Sequence, residues 1–210
     1  MARVIGEIPG IIYPPGGIAT EFKYLVNADD LEFMKLALEE AEISLEQGDD
    51  MPVGAVLVNS NGDVWSDHAD EKATHRISGH AEQNVIEKYN VDTGLLALTG
   101  LQMYVTFEPC IRCAHEIDQG ELGALFIALE RSKLAEAPAE QFGGGQLIRH
   151  RNINMRQVLT DSPRTLMVVT GLQQEASIEL FQRKYNKDHG IVSIPLLRRA
   201  RRRPSTDKPQ

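Results

Sequence analysis

The chain holds only two cysteines in 210 residues, and they stand three apart, in Pro109-Cys110-Ile111-Arg112-Cys113. Two residues scattered at random over such a length fall at that spacing about one time in a hundred, so the spacing calls for a physical cause. A pair so close cannot close a long loop, which excludes a secreted fold held by disulfides. Residues 101–107 alternate like a strand, and Pro109 suits the start of a helix that continues over 110–119 to Gly120. The cysteines therefore lie where a strand hands over to a helix. A thiolate there meets free N–H groups and the positive end of the helix dipole, which lowers its pKa. Positions i and i+3 share a helix face, so both sulfurs can reach one ion.

A second constellation has the same setting. His80-Ala81-Glu82 opens a predicted helix over 80–91, at the same end of the predicted sheet. With His80 the donor set becomes one imidazole and two thiolates, which suits Zn²⁺. Three protein ligands leave the fourth tetrahedral position open, as a catalytic site requires. Glu82, two residues on, points to a different side of the helix from His80 and is poorly placed as a co-ligand. It can reach over the open position and move a proton there.

The rest of the chain reads as one ordinary domain. Residues 1–26, with Pro9, Pro14, Pro15, Gly10, Gly16 and Gly17, form an extended arm. Asn27 caps an amphipathic helix over 28–47, marked by Leu31, Met34, Leu38, Ala41 and Leu45. Residues 52–58 are a buried strand, Asn61-Gly62 a hairpin turn, and Val64-Trp65 the start of the returning strand. Residues 67–79 form a polar loop, 122–129 a strand, 132–140 a helix, 155–159 a strand, 165–170 a strand and 172–185 a helix. This order predicts a three-layer α/β/α fold in which an antiparallel pair joins parallel strands. The domain spans 27–190, and 191–210 is a basic tail. In that tail Arg198, Arg199, Arg201, Arg202, Arg203 and Lys208 face only Asp207, a net +5, so residues 1–190 carry −13 of the total −8. The acidic body disfavours duplex-DNA binding by bulk charge. No apolar run reaches 18 residues and the first residues do not resemble a signal peptide, so a cytoplasmic protein with no membrane span is expected.

The pairing of H-x-E with P-C-x-x-C is the signature of the zinc deaminases. The chain resembles the cytidine/deoxycytidylate deaminase superfamily, and within it the branch of guanine, cytosine and tRNA adenosine deaminases. The resemblance rests on Met51-Pro52-Val53-Gly54-Ala55-Val56, Gly79-His80-Ala81-Glu82, Thr106-Phe107-Glu108-Pro109-Cys110-Ile111-Arg112-Cys113-Ala114 and Val169-Thr170-Gly171-Leu172-Gln173-Gln174-Glu175-Ala176. It covers roughly residues 28–186. It implies a cytidine deaminase-like fold with a mixed five-stranded sheet, and Zn²⁺ on His80, Cys110 and Cys113. It further implies Glu82 as proton shuttle, the backbone of Val53, Gly54, Ala55 and Ala81 against the base, Glu108 steadying the site, and a homodimer. The expected activity is release of ammonia from a free nucleobase or nucleoside, guanine-like first. Adenosine in tRNA is second, on the strength of the basic tail.

One stretch departs from the branch. An Asn that contacts the base usually stands about eleven residues before the zinc His. Here that stretch is Ser66-Asp67-His68-Ala69-Asp70, with no Asn between Asn61 and Asn84. Asp67, His68 and Asp70 are the replacements at hand, and a carboxylate does not donate as an amide does. Three other readings stand beside the enzyme. They are a redox dithiol, a structural zinc site completed by His75 or His115, and a non-catalytic zinc-stabilised binding module. Glu82 separates them, because only catalysis needs a carboxylate beside an open metal position. Trp65 reads as core packing ahead of base stacking.

Overall fold

The computed structural model describes residues 4–136 and 155–188. Strands β1 (Gly6–Tyr13) and β2 (Thr20–Val26) come first, then helix α1 (Ala28–Gln47). Strands β3 (Gly54–Val58) and β4 (Val64–His68) follow, with a four-residue helix α2 (Glu71–Thr74) and helix α3 (Ala81–Thr93). Then come β5 (Gln102–Phe107), α4 (Ile111–Gln119), β6 (Ala124–Leu129) and α5 (Arg131–Glu136). After the gap lie α6 (Met155–Thr160), β7 (Leu166–Thr170) and α7 (Gln174–Asp188).

The strands form one mixed sheet in the order β2-β1-β7-β6-β5-β3-β4, seven strands where five were expected. The two extra strands are the N-terminal arm. Its proline and glycine content keeps the backbone extended, and extended backbone with free N–H and C=O groups pairs where an edge is open. β1 pairs antiparallel with β2 from Gly6↔Val26 to Ile12↔Thr20, and with β7 from Gly10↔Val169 to Tyr13↔Leu166. Pro9, which has no N–H to give, lies one residue before the β7 ladder begins. The expected core is intact. β3 and β4 pair antiparallel, β3 pairs antiparallel with β5, and β5, β6 and β7 run parallel.

The sheet separates two cores. One face carries Val56, Val58, Tyr104, Phe126, Ala128 and Val169 against α1. The other carries Ala55, Leu57, Met103, Val105, Ile127 and Leu129 against Ala81, Val85 and Tyr89 of α3 and Ala114 and Ile117 of α4. Alternation along each strand sends successive side chains to opposite faces, so β3, β5 and β6 each feed both cores. α1 starts at a capping box: the Asn27 side chain accepts from Asp29 N and Asp30 N, and Asp30 accepts from Asn27 N. α1 approaches β3 so closely that a Cβ on Gly54 would stand 2.0 Å from the Ala37 carbonyl oxygen. Only glycine fits there, which accounts for the glycine inside a buried strand.

Two local expectations change. Residues 155–160 form a helix, not a strand. Met155 and Leu159 are both buried, a spacing of four that puts them on one helix face toward α4, and so short an apolar run does not settle its own period. The 67–79 stretch includes the last residues of β4 and the single turn of α2. Of the helix expected over 132–140, residues 131–136 are helical. The remaining residues of that expected span, 137–140, and the basic tail lie outside the described residues. No helix among the described residues is long and apolar enough to cross a membrane.

Candidate metal centre and its surroundings

Three donor atoms converge at the N-termini of α3 and α4. His80 is the N-cap of α3, Cys110 the N-cap of α4, and Cys113 lies in the first turn of α4. His80 Nδ1 is 3.6 Å from Cys110 Sγ and 3.3 Å from Cys113 Sγ, and the two sulfurs are 3.6 Å apart. A tetrahedral zinc at ordinary Zn–S and Zn–N lengths requires ligand–ligand edges of about 3.5–3.8 Å. The triangle therefore fits one zinc ion nearly unchanged, and three protein donors would leave a fourth ligand position to be filled from outside the set. No other cluster of His, Cys, Asp and Glu with this geometry occurs among the described residues, and neither His75 nor His115 joins this one. The cysteines form no disulfide.

The sulfurs are electrostatically unequal. Cys110 is pulled down to about 3, first by its hydrogen bond with Cys113 and further by His80. Cys113, buried and paired with that thiolate, is pushed up. A dication at the site would favour both sulfurs as thiolates. Glu82 is only 4% exposed in the first turn of α3. Burial pushes its carboxyl up to about 7, against the pull of His80, of its own backbone N–H and of a hydrogen bond with Cys113. It thus lies beside the donor triangle without belonging to it.

The loop from β4 to α3 is fastened at several points. Asn84 of α3 donates from Nδ2 to His68 O at 2.8 Å and to Asp70 Oδ1 at 2.9 Å. Arg76 donates to Asn84 Oδ1 at 3.0 Å. Asp70 N donates to Gly79 O at 2.9 Å, and Lys72 pairs with Asp50 at 2.6 Å. Glu71 Oε1 lies 3.4 Å from Nε2 of His80, the ring nitrogen turned away from the sulfurs. Sequence reasoning missed Glu71, Asn84 and Arg76. No local pattern marks them, because their partners are eight or more residues away across a loop.

The family model for the cytidine and deoxycytidylate deaminase zinc-binding region matches residues 27–129, which include all three donors and Glu82. The tRNA-specific adenosine deaminase of Streptococcus pyogenes serotype M18 is 30% identical over 129 residues, 61% of this chain and 71% of that protein. The chain belongs to the cytidine and deoxycytidylate deaminase family. The Bacillus subtilis tRNA-specific adenosine deaminase is 38% identical over 82 residues, 39% of this chain and 50% of that protein. Among solved structures, a tRNA deaminase of A-to-I editing at the wobble position matches with TM-score 0.52 and 27% identity. That match covers 71% of this chain and 98% of the other. A guanine deaminase from Nitrosomonas europaea matches with TM-score 0.56 and 16% identity over 75% of this chain and 84% of that one, which shows the shared fold. A member of this family binds zinc, and the donor triangle is where these residues allow it.

In this deaminase the other singled-out residues lie as follows. Ala81 is fully buried between His80 and Glu82. Val53 is buried in the α3/α4 core, and its carbonyl accepts from Ala69 N. Ala55 is buried in the same core. Gly54 N donates to Thr106 Oγ1 at 3.1 Å. Glu108, also buried, accepts from Arg131 N at the start of α5, which ties the Cys110 turn to the end of β6. Asp67 accepts from His68 N. His68 turns toward α1, where its Nδ1 meets Glu40 Oε2 at 3.0 Å, so it is not brought to the donors. Beyond β4 the chain places Ala69 in the core, and Asp70 is engaged by Asn84. The asparagine amide near this corner therefore comes from α3 and is spent on the loop. Trp65 packs edge-on against Tyr89 and donates to Asp92, as core packing predicts.

Proposed function

We propose that the protein is a zinc-dependent hydrolase that releases ammonia from the amino-bearing carbon of a small nucleobase or nucleoside. The observation that carries this is Glu82, buried beside three donors that would leave a fourth ligand position to be filled from outside the set. Bound zinc would supply a water acidified for attack. Glu82, buried beside the donors, would accept one proton of that water and hand it to the ring nitrogen next to the amino-bearing carbon. Glu82 would then carry the second proton of the water from the new carbon–oxygen group to the amino nitrogen, so that the C–N bond breaks, a carbonyl remains and ammonia leaves. Val53, Gly54, Ala55 and Ala81 bound the base, and Glu108 steadies the Cys110 turn through α5. A binding module with a structural zinc gives no role to a buried carboxylate at this point.

The body charge of −13, with Glu71 beside His80, supports a small substrate over a polyanion. The second reading, adenosine in tRNA, is favoured by the relatives at 30% identity and above, whose names carry that activity, and by the +5 of residues 191–210. The reading takes residues 27–190 as the catalytic domain, in the cytoplasm, and includes a homodimer. Support for the dimer comes from Ile77, Val91 and Leu96, each at least 77% exposed. Val91 and Leu96 line an open groove of about 610 Å³ between α3 and α4.

A screen of ammonia release over free bases, nucleosides, nucleotides and tRNA tests the substrate. Turnover of a free base or nucleoside, lost in Cys110→Ala, is the expected result. Turnover of tRNA alone selects the second reading. Silence across the panel from protein that holds one zinc per chain rejects the catalytic reading.

A further inference from the structure

A histidine ligand must present one ring nitrogen to the metal in neutral form, and what the other nitrogen touches decides which tautomer is present. In this chain the two nitrogens of His80 face opposite chemistry. Nδ1 faces the sulfurs of Cys113 and Cys110 at 3.3 and 3.6 Å. Nε2 faces Glu71 Oε1 at 3.4 Å, and both side chains are largely shielded, 26% and 33% exposed. We propose that Glu71 is the positioning residue of the metal centre. Its carboxylate accepts from Nε2–H of His80, fixes the ring with its Nδ1 lone pair toward the sulfurs, and strengthens that nitrogen as a ligand. The inference rests on the zinc reading above and names a residue acting through a ligand, not on substrate.

The surroundings hold Glu71 where this role needs it. The residue begins the single turn of α2, and both ends of the loop around it are fastened. Asn84 grips Asp70, Arg76 grips Asn84, and Lys72 pairs with Asp50. The fit is closest at Gly79, immediately before His80. A Cβ there would stand 2.5 Å from Asp70 Oδ1, 2.8 Å from Glu71 N and 3.0 Å from Glu71 Cα. Gly79 thus lets the Glu71 backbone close onto the turn that carries His80. This gives the glycine of Gly79-His80-Ala81-Glu82 a physical reason that concerns the ligand's second nitrogen.

The test is zinc affinity, which needs no substrate. Zinc dissociation constants of the full chain and of Glu71→Ala and Glu71→Gln are measured by competition with a chromophoric chelator. Glu71→Ala is expected to weaken zinc by about 10–100-fold. Glu71→Gln keeps an acceptor oxygen and is expected to recover at least about threefold of that loss. A ¹⁵N spectrum of the zinc-loaded protein supplies the second readout. His80 is expected as the pure Nε2–H tautomer, with the Nε2 proton broadened by exchange in Glu71→Ala. An affinity in Glu71→Ala within about threefold of the unaltered chain overturns the inference, and so does a loss that Glu71→Gln leaves untouched. Failure of the unaltered chain to bind zinc rejects the zinc reading instead, so the two failures are distinct.

Discussion

At the scale of single residues, two neighbours on one helix turn divide the work. His80 at the N-cap faces the sulfurs, while Glu82 two positions on is buried with its carboxyl pushed up to about 7. A carboxyl near neutrality can both take and give a proton at working pH, which a solvated glutamate does poorly. Glu82→Gln keeps the size of the side chain and removes that capacity. The variant is expected to retain one zinc per chain and to lose about 10²–10⁴ in kcat. Metal content and ammonia release, measured on the same sample, check this. A zinc-loaded Glu82→Gln that turns over as fast as the unaltered chain would remove the shuttle role. Both half-motifs were legible in the sequence because each is local: a ligand and its helix start lie within a few positions. Glu71 was not legible, since its partner is nine residues away and the approach depends on how the intervening loop folds.

At the scale of elements, α1 and β4 are tied by one side-chain pair. Glu40 of α1 accepts from Ser66 at 2.5 Å and meets His68 Nδ1 at 3.0 Å. The hydrogen bond with Glu40 raises the His68 pKa ahead of burial, which pulls it down, and Asp67 and Asp70 add to the rise. His68 in turn lowers the Glu40 pKa against burial, with Ser66 and Lys88 adding. A raised histidine contributes stability in full below its ordinary 6.5 and loses it as pH rises through the raised value. A lowered carboxyl contributes in full above its ordinary 4.5 and loses it as pH falls through the lowered value. The pair therefore contributes most between those ordinary values, by about 1–3 kcal/mol. His68→Ala should lower Tm clearly more at about pH 5.5 than at about pH 8.5. An equal loss at both would assign the effect to packing alone. The sequence placed His68 near the substrate because it stood where the branch keeps an asparagine. Strand parity decided otherwise: Ser66 and His68 face α1, and Trp65, one residue before Ser66, faces α3.

At the scale of the whole molecule, the N-terminal segment changes the architecture from five strands to seven. It does so at the β7 side of the sheet, opposite the β3–β4 hairpin that leads into the ligand loop, so the metal centre is untouched by the addition. On the α3–α4 side Val91 and Leu96 are exposed along the groove. A monomer seldom leaves such residues clustered, and the proposed dimer would cover them. Light scattering is expected to give twice the 23.3 kDa of one chain, and Leu96→Glu with Val91→Lys is expected to return the single-chain mass. A single-chain mass from the unaltered protein at tens of micromolar would reject the dimer.

The sequence by itself determined the donor set, its metal preference and the helix starts that carry it. It also determined α1 from Asn27 to Gly48 and the central strands. These follow from local chemistry: spacing along one chain, capping, and the period of apolar residues. Only the tertiary structure decided the partners of free edges and second nitrogens. The arm became β1 and β2 because an unpaired β7 edge was available to extended backbone. Met155 and Leu159 became a helix because α4 offered a surface for one face. Glu71 reached His80 because Gly79 allows the loop to close there. In each case the deciding contact joins segments that are distant in sequence, and no local pattern encodes which of several compatible neighbours will be near.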